Sequence, residues 1–125
     1  MNISYHEQER GFHLHTPHTS YLISLVDEPA FPAHAYYGRR IPDSNMRHLL
    51  RLSPDRPPFA KSGNQTAFLN ELPAEYPGHG LGDQRESCLR VETQEGYRAC
   101  QLFYKSHQIY AGKPELPGLP AAYAD

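Results

Sequence analysis

One group of histidines has a spacing that suits a metal ion: His13, His15 and His18 form the pattern H-x-H-x-x-H. On a β-strand, residues two apart lie on the same face, so His13 and His15 could bring two imidazoles to one zinc ion, with His18 supplying a third from the following bend. Neither an acidic residue nor a cysteine stands within the pattern. We therefore favour solvent-facing strand histidines, keep a zinc site as the weaker alternative, and expect neither a metal nor any other cofactor.

The other residues with chemical potential do not form a recognisable active site. The glycine-rich run at 78–82 lacks the preceding strand and the following helix that a phosphate-binding loop needs, so we interpret it as turns. The sequence has no G-x-S-x-G motif, and Ser106 and His107 are adjacent, which places their side chains on opposite faces of a predicted strand. Asp and Glu are scattered over predicted turns. We therefore expect no catalytic residue in this chain.

Size and charge narrow the class of protein. A chain of 125 residues fits one domain, and a formal net charge of −2 provides no basic field for nucleic acid or for an anionic membrane surface. The first residues carry no secretory signal and no apolar run is long enough to span a bilayer, which predicts a cytoplasmic protein. Cys88 and Cys100, the only cysteines, are predicted to be reduced.

Alternating apolar and polar residues predict a mainly β chain of antiparallel strands. Strands are predicted at 3–5, 12–16, 20–26 and 33–37, with the third paired to the fourth. Residues 39–87 are broken by proline, and 46–52 fits either a helical turn or a strand. A second hairpin is predicted at 88–93 and 97–110, followed by a stiff Pro/Gly arm. No amphipathic helix of about ten residues or more is expected.

A series of landmarks along almost the whole chain has a counterpart in one enzyme family. The series comprises, in order, Phe12-His13-Leu14, Ser20-Tyr21, His34 to Arg39, Glu75-Tyr76-Pro77, Gly82-Asp83 with Arg85, Tyr104 to His107, Ile109-Tyr110, Gly112-Lys113-Pro114, Leu116 and Gly118 to Ala121. In this order the landmarks resemble the N-terminal region of bacterial α-galactosidases of glycoside hydrolase family 36. The ordered set, rather than any single motif, carries the resemblance.

The resemblance implies a large enzyme that forms a homo-oligomer, which is a tetramer in the family. Each chain of such an enzyme begins with a β-sandwich of the supersandwich type and continues with a (β/α)8 barrel. It implies hydrolysis of terminal non-reducing α-D-galactosyl residues, as in melibiose and raffinose, by two barrel aspartates with retention of configuration. Residues 1–125 would then be a single unit, the N-terminal part of the sandwich, without the barrel. Such a partial sandwich is expected to be inactive alone and to contribute to subunit assembly.

The family also implies that one loop helps to line the active site of a neighbouring subunit. The loop corresponds to Arg51–Phe68, where the family often carries an Asp soon after Arg-Leu and an Arg just before Thr. This sequence has Ser53 and Gln65 at those places, and Asp55 and Arg56 stand nearby as substitutes. These four residues are the candidates for the substrate rim. An ordinary interface loop is the equal alternative.

The tyrosine content and the incomplete sandwich lead to two further expectations. Nine tyrosines suit an independent β-module that binds carbohydrate or a protein partner, which is the alternative function. A sandwich cut partway leaves strand edges and an apolar face uncovered, so the isolated chain is expected to self-associate.

Overall fold

The computed structural model describes residues 2–44, 47–50, 67–80, 82–112 and 117–118. One antiparallel sheet contains strands β1 (Asn2–His6), β2 (Gly11–His15), β3 (Thr19–Val26) and β4 (Phe31–Arg39), in that spatial order. A 3-10 helix at Arg47–Leu49 follows. Of the two interpretations of residues 46–52, the helical turn is therefore the one adopted by the described residues. Nothing helical in the described ranges is long and apolar enough to cross a bilayer. The prediction of a mainly β, antiparallel chain is confirmed.

The four predicted N-terminal strands match β1 to β4, and the predicted antiparallel pairing of β3 with β4 is confirmed. Each strand pairs with its neighbour in sequence, because only a short turn separates the two. Alternating side chains give each strand one row of residues on each face of the sheet. The register of β3 against β4 shifts between Leu22, which lies opposite Tyr36, and Ile23, which lies opposite His34. Ala35 is the extra residue of this irregularity.

The apolar core lies on one face of the sheet, close to the turn between β3 and β4. It consists of Val26, Phe31, Ala33, Ala67, Leu69 and Leu72. The segment that supplies the last three is fastened to the edge of β4, where the His34 amide donates to the Pro73 carbonyl at 2.7 Å and the Glu75 amide donates to the Pro32 carbonyl at 2.9 Å. A proline-broken stretch therefore provides half of the core without forming a strand of its own.

The opposite face of the sheet is apolar and is crossed by residues 104–109. The amide of Tyr104 donates to the Ala30 carbonyl at 2.9 Å, and the ring of His107 lies 4.9 Å from that of Phe12 and 4.5 Å from that of Tyr5. A groove of about 270 Å³ lies between this crossing segment and the sheet. This face is therefore only partly covered within the described residues.

The predicted hairpin at 88–93 and 97–110 is wrong. This part of the chain forms a turn, in which the Thr93 amide donates to the Tyr97 carbonyl at 3.0 Å and the Gly96 amide donates to the Thr93 carbonyl at 2.9 Å, but no ladder continues from it. A two-stranded hairpin is marginal unless one face is buried. Here Leu89, Val91 and Tyr97 are exposed, so strand-forming residues alone do not maintain the pairing.

Replacing Leu72 with alanine tests the core. Leu72 is fully buried, so Leu72→Ala should lower the free energy of unfolding by about 2–5 kcal/mol, the range for deleting a buried leucine side chain. The measurement is urea unfolding of the protein followed by fluorescence. Leu49→Ala, at an exposed position, is the control and should cost less than about 1 kcal/mol. Equal losses in the two variants would contradict this description of the core.

Candidate functional site

A cluster of polar side chains occupies the end of the core face away from the apolar core. We call Ser4, His6, His13, Ser20 and Asp43 the Asp43 cluster. Strand pairing sets Ser4 directly opposite His13, and alternation places His6 on the same face as Ser4. Asp43 comes from the chain that leaves β4, so the cluster is assembled by the strands and closed by a later segment.

The carboxylate of Asp43 accepts hydrogen bonds from three side chains. Its Oδ1 lies 2.7 Å from His6 Nε2 and 2.9 Å from His13 Nδ1, and its Oδ2 accepts the Ser4 hydroxyl at 3.1 Å. The hydrogen bond from His13, assisted by those from His6 and Ser4, lowers the pKa of Asp43 to about 2 against the opposing effect of burial. The carboxylate is therefore ionised at neutral pH.

Ionisation of Asp43 decides the direction of the other hydrogen bonds. A carboxylate can only accept, so His13 donates from Nδ1. In the neutral imidazole, Nε2 then accepts the hydroxyl of Ser20 at 2.8 Å. The same hydroxyl oxygen accepts the amide of Ile41 at 3.1 Å. Ser20, His13 and Asp43 therefore form a continuous relay of hydrogen bonds that ends on a fixed negative charge.

The relay has the order of partners found in a serine nucleophile, a histidine base and an aspartate, but it is a structural arrangement. Ser20 is 1% exposed and His13 is 2% exposed, so a substrate carbonyl has no access to the hydroxyl. The Ser20 oxygen also accepts the amide of Ile41, and β3, on which Ser20 lies, is an inner strand between β2 and β4. The Asp43 cluster holds the segment that follows β4 against the sheet by hydrogen bonds.

The expectation that the strand histidines face solvent is wrong for His13, which is buried because Asp43 and Ser20 satisfy both of its ring nitrogens. His15 stacks at 5.2 Å from the ring of His13 and is only half-buried, and His18 is exposed in the bend. In the part of the chain that the structure describes, no set of three His, Cys, Asp or Glu residues is arranged to hold a metal ion. The acidic partner of His13 stands 30 residues away, where the local pattern gives no signal for it.

A second polar group lies on the other face, beside the β4 edge. Tyr21 donates its hydroxyl to the Glu75 carboxylate, and His34 Nδ1 lies 3.5 Å from Glu75 Oε1. Burial, with the hydrogen bond to Glu75 as the second cause, raises the pKa of Tyr21 to about 12. The ring of Tyr37, itself 68% exposed, lies 5.9 Å from that of Tyr21. The arrangement is an aromatic patch with one carboxylate beneath it.

The remaining candidates serve local structure. The glycine-rich run forms turns as predicted, with positive φ at Gly80 and Gly82 and reciprocal backbone hydrogen bonds between Gly80 and Asp83.

Buried Asp83 is held by Arg85, because Arg85 Nε lies 2.9 Å from Asp83 Oδ1. The Tyr104 hydroxyl and His107 Nδ1 share a hydrogen bond of 2.7 Å. Cys88 and Cys100 are both free thiols.

Comparison with known protein families identifies the chain. The profile of the glycosyl hydrolase family 36 N-terminal domain matches residues 30–125. The chain belongs to this family. The resemblance inferred from the ordered landmarks is therefore confirmed.

Relatives within family 36 match the chain over its whole length. It is 38% identical to the bifunctional alpha-galactosidase/sucrose kinase AgaSK of Mediterraneibacter gnavus, over 100% of this chain and 14% of the relative. It is 35% identical to the alpha-galactosidase AgaA of Geobacillus stearothermophilus, over 100% of this chain and 17% of the relative. The chain thus spans less than a fifth of the length of these relatives.

Solved structures of family 36 share the fold. The galactosidase domain of AgaSK superposes with a TM-score of 0.81 at 35% identity, covering 99% of this chain and 17% of that one. The alpha-galactosidase AgaB of Geobacillus stearothermophilus gives a TM-score of 0.77 at 35% identity, with the same coverage. The described sheet is therefore an element of known family 36 enzymes.

The four rim candidates, Ser53, Asp55, Arg56 and Gln65, lie outside the described residues. Their described flanks are both attached to the sheet. On one side Asp43 is bound by the histidines, and on the other the Ala67 amide donates to Asp27 Oδ2 at 2.7 Å. The predicted rim role in family 36 thus stays a prediction.

Removing the charge of Asp43 should change the acid sensitivity of the family 36 domain. Because its folded-state pKa of about 2 lies below the ordinary value of 3.8, Asp43 stabilises the fold above about pH 4, and this stabilisation is lost as pH falls towards 2. Asp43→Asn should remove this pH-dependent part and cost about 1 kcal/mol at neutral pH, the usual net value of one hydrogen bond.

Urea unfolding of the Asp43→Asn variant across acidic pH provides the measurement. Glu28→Gln, which removes one negative charge from an exposed turn position, is the charge-matched control. If the two variants gave the same dependence of stability on pH, the assigned interaction of Asp43 with the histidines would be excluded.

The Tyr21 to Glu75 hydrogen bond should be visible at alkaline pH. The raised pKa means that the unfolded state ionises first, so stability from this group is present below about pH 10 and is lost as pH rises towards 12. Tyr21→Phe should remove that loss and cost about 1 kcal/mol at neutral pH. Alkaline unfolding and the ultraviolet absorbance of tyrosinate measure both effects, and Tyr97→Phe at an exposed position is the control. Titration of Tyr21 with the exposed tyrosines would contradict the burial described.

Proposed function

We propose that this chain is the N-terminal portion of an α-galactosidase that releases terminal non-reducing α-D-galactosyl residues from oligosaccharides of the melibiose and raffinose type. The observation that carries the proposal is the match over its full length to alpha-galactosidases at 35–38% identity. The catalytic nucleophile and acid/base are then supplied by parts of the enzyme outside residues 1–125. The enzyme acts in the cytoplasm as a homo-oligomer.

Three carboxylates with structural partners, Asp43, Glu75 and Asp83, support a non-catalytic role. A retaining glycosidase needs two carboxyl groups about 5 Å apart on either side of a sugar. Asp43 is bound by His6 and His13, Asp83 is buried against Arg85, and Glu75 accepts the Tyr21 hydroxyl. Each is committed to a structural partner at a different place in the fold, so none forms such a pair with another.

Exposed apolar side chains support a role in assembly. Residues 88–110 present Leu89, Val91, Phe103 and Ile109 with between 38% and 49% of their surface accessible. Contiguous exposed apolar surface on a protein usually marks a contact with another domain or subunit. The groove between residues 104–109 and the sheet offers a second such surface. The rest of the sandwich and the neighbouring subunits of the enzyme are the proposed occupants.

The loop from Arg51 to Phe68 is the proposed contact with substrate in a neighbouring active site. Ser53, Asp55, Arg56 and Gln65 supply hydroxyl, carboxylate, guanidinium and amide groups, all of which bind sugar hydroxyls by hydrogen bonds. The described flanks of this segment are attached to the sheet, through Asp43 on one side and through the Ala67 amide on Asp27 on the other.

An independent carbohydrate-binding module is the second candidate. The aromatic patch favours it, because Tyr37 and Tyr76 are exposed beside Glu75 and aromatic faces with a neighbouring carboxylate suit the apolar faces and hydroxyls of a sugar. This hypothesis predicts saccharide binding by the patch in a protein without α-galactosidase activity.

Hydrolysis of an aryl α-galactoside tests the main proposal. The full-length protein should release the aryl alcohol with retention of configuration, as shown by NMR of the first-formed sugar anomer, and residues 1–125 expressed alone should release none. Activity of residues 1–125 alone would place the catalytic groups in this chain and contradict the proposal. Saccharide binding without hydrolysis by the full-length protein would favour the independent module.

Substitution of Arg56 tests the rim. Loss of one charged hydrogen bond to the sugar weakens binding by about 1.4 kcal/mol or more, so Arg56→Ala in the full-length enzyme should raise KM about tenfold with a smaller change in kcat. Arg98→Ala removes an exposed arginine that is paired with Glu92 and is the matched control, with KM expected to stay as in the wild type. An unchanged KM in Arg56→Ala would remove this residue from the rim.

A further inference from the structure

We propose that the outer end of β4, residues 37–39, is a contact between two copies of this chain: each copy places Arg39 on the Glu75 carboxylate of the other, and the two Tyr37 rings meet between them. The inference rests on the homo-oligomer of the proposed function, and it names one interface of that oligomer. The contact is made by the sheet and by the segment fastened to its β4 edge.

Tyr37 and Arg39 are neighbours on one face of β4. Strand alternation places both on the face that carries Tyr21, because Tyr37 lies opposite Tyr21 in the register and the two rings are 5.9 Å apart. Tyr37 is 68% exposed, and Arg39 is exposed at the last position of the strand. Within the described residues, no carboxylate pairs with the Arg39 guanidinium. This arginine is therefore available to a carboxylate of another copy.

A carboxylate lies on the other side of Tyr37. The Glu75 side chain accepts the Tyr21 hydroxyl, and its Oε1 lies 3.5 Å from His34 Nδ1. Because His34 precedes Tyr37 on the strand and Arg39 follows it, the carboxylate lies on the side of the ring away from the arginine. The Glu75 side chain is 19% exposed, so it is held in place and still reached from outside. A negative charge, an aromatic ring and a positive charge therefore follow one another along this face.

This order of groups is complementary to itself. In a contact with two-fold symmetry, each residue of one copy meets the same partner residue that its counterpart meets in the other copy. A two-fold axis that lies across β4 at Tyr37 brings the two Tyr37 rings together and sets Arg39 beside Glu75 of the other copy, twice. Each guanidinium then also lies close to an aromatic ring, which attracts it by a cation–π interaction. A second copy thus supplies the counter-charge at both ends of the row.

The residue types and the free surface favour a protein partner over a sugar. Tyrosine and arginine are enriched among the residues that contribute most to binding energy in protein interfaces. The segment at residues 104–109 crosses the same face over Tyr5 and Phe12, on β1 and β2, and leaves Tyr37 exposed. A neutral saccharide offers no counter-charge to Arg39, whereas a second copy does.

The mass of the full-length protein, measured by light scattering after gel filtration, tests the inference through reversal of one charge at a time. Arg39→Glu sets two carboxylates against each other in both symmetric contacts, and Glu75→Lys sets two cations against each other. Like charges at an interface oppose association, so each variant should have half the mass of the wild-type oligomer. A mixture of the two variants has opposite charges in both contacts, so its mass should return to the wild-type value.

Arg10→Glu is the matched control, because it makes the same change of charge in the turn between β1 and β2, at the other end of the sheet. Its mass should equal that of the wild type. Tyr37→Ala removes an exposed ring without opening the interior and should weaken self-association about tenfold. If Glu75→Lys does not fold, Arg39→Glu and Tyr37→Ala decide the inference.

The outcomes separate the inference from the proposed function. A wild-type mass in Arg39→Glu, an equal loss of mass in Arg10→Glu, or folded variants that do not reassemble when mixed would overturn the inference. A monomeric wild type that hydrolyses α-galactosides also overturns it, and leaves the proposed activity in place. An oligomeric wild type without this activity removes the proposed activity, and halved masses of the charge-reversal variants would still support the contact. A monomer that binds raffinose through Tyr37 assigns this surface to a saccharide and overturns the inference.

Discussion

His13 lies in the interior of the sheet with two ring nitrogens that must each find a partner. Burial of an imidazole without hydrogen bonds is costly, and the partners come from both directions along the chain: Ser20 from the next strand and Asp43 from beyond the last one. His13 therefore links β2 and β3 to the segment that follows β4. The carboxylate also gives the relay a fixed direction, since it can only accept.

The polar end of the core face complements the apolar end. Around Leu72 the sheet is closed by hydrophobic burial, which is non-directional and tolerates many side-chain shapes. Around Asp43 it is closed by hydrogen bonds, which require one geometry. The first region contributes burial of apolar surface to the sheet, and the second holds the chain that follows β4 at a defined place.

The sequence predicted those elements whose stability is local. Alternation within β1 to β4 and turn residues between them were sufficient, because each strand pairs with its neighbour along the chain. Burial of His13 was missed because its acidic partner lies beyond β4, and the contribution of Leu69 and Leu72 was missed because the segment has no regular period. The hairpin predicted at 88–110 failed for the opposite reason: its residues favour strands, but Leu89, Val91 and Tyr97 are exposed and no shared face is buried between the two predicted strands in the described structure. The family resemblance, which rests on the order of landmarks, needed none of these tertiary contacts.

The order of the strands in space is the same as their order in sequence, and this has a kinetic consequence. Each pairing closes only a short turn, so the entropy lost before the first contacts form is small, and sheets of this topology form faster than those that join distant segments. On a ribosome, residues 2–39 emerge before any of the loops that later cover them. The four-stranded meander can then act as a folded template against which residues 40–44, the segment from Ala67 to Glu75 and the crossing residues 104–109 pack in the order of their synthesis.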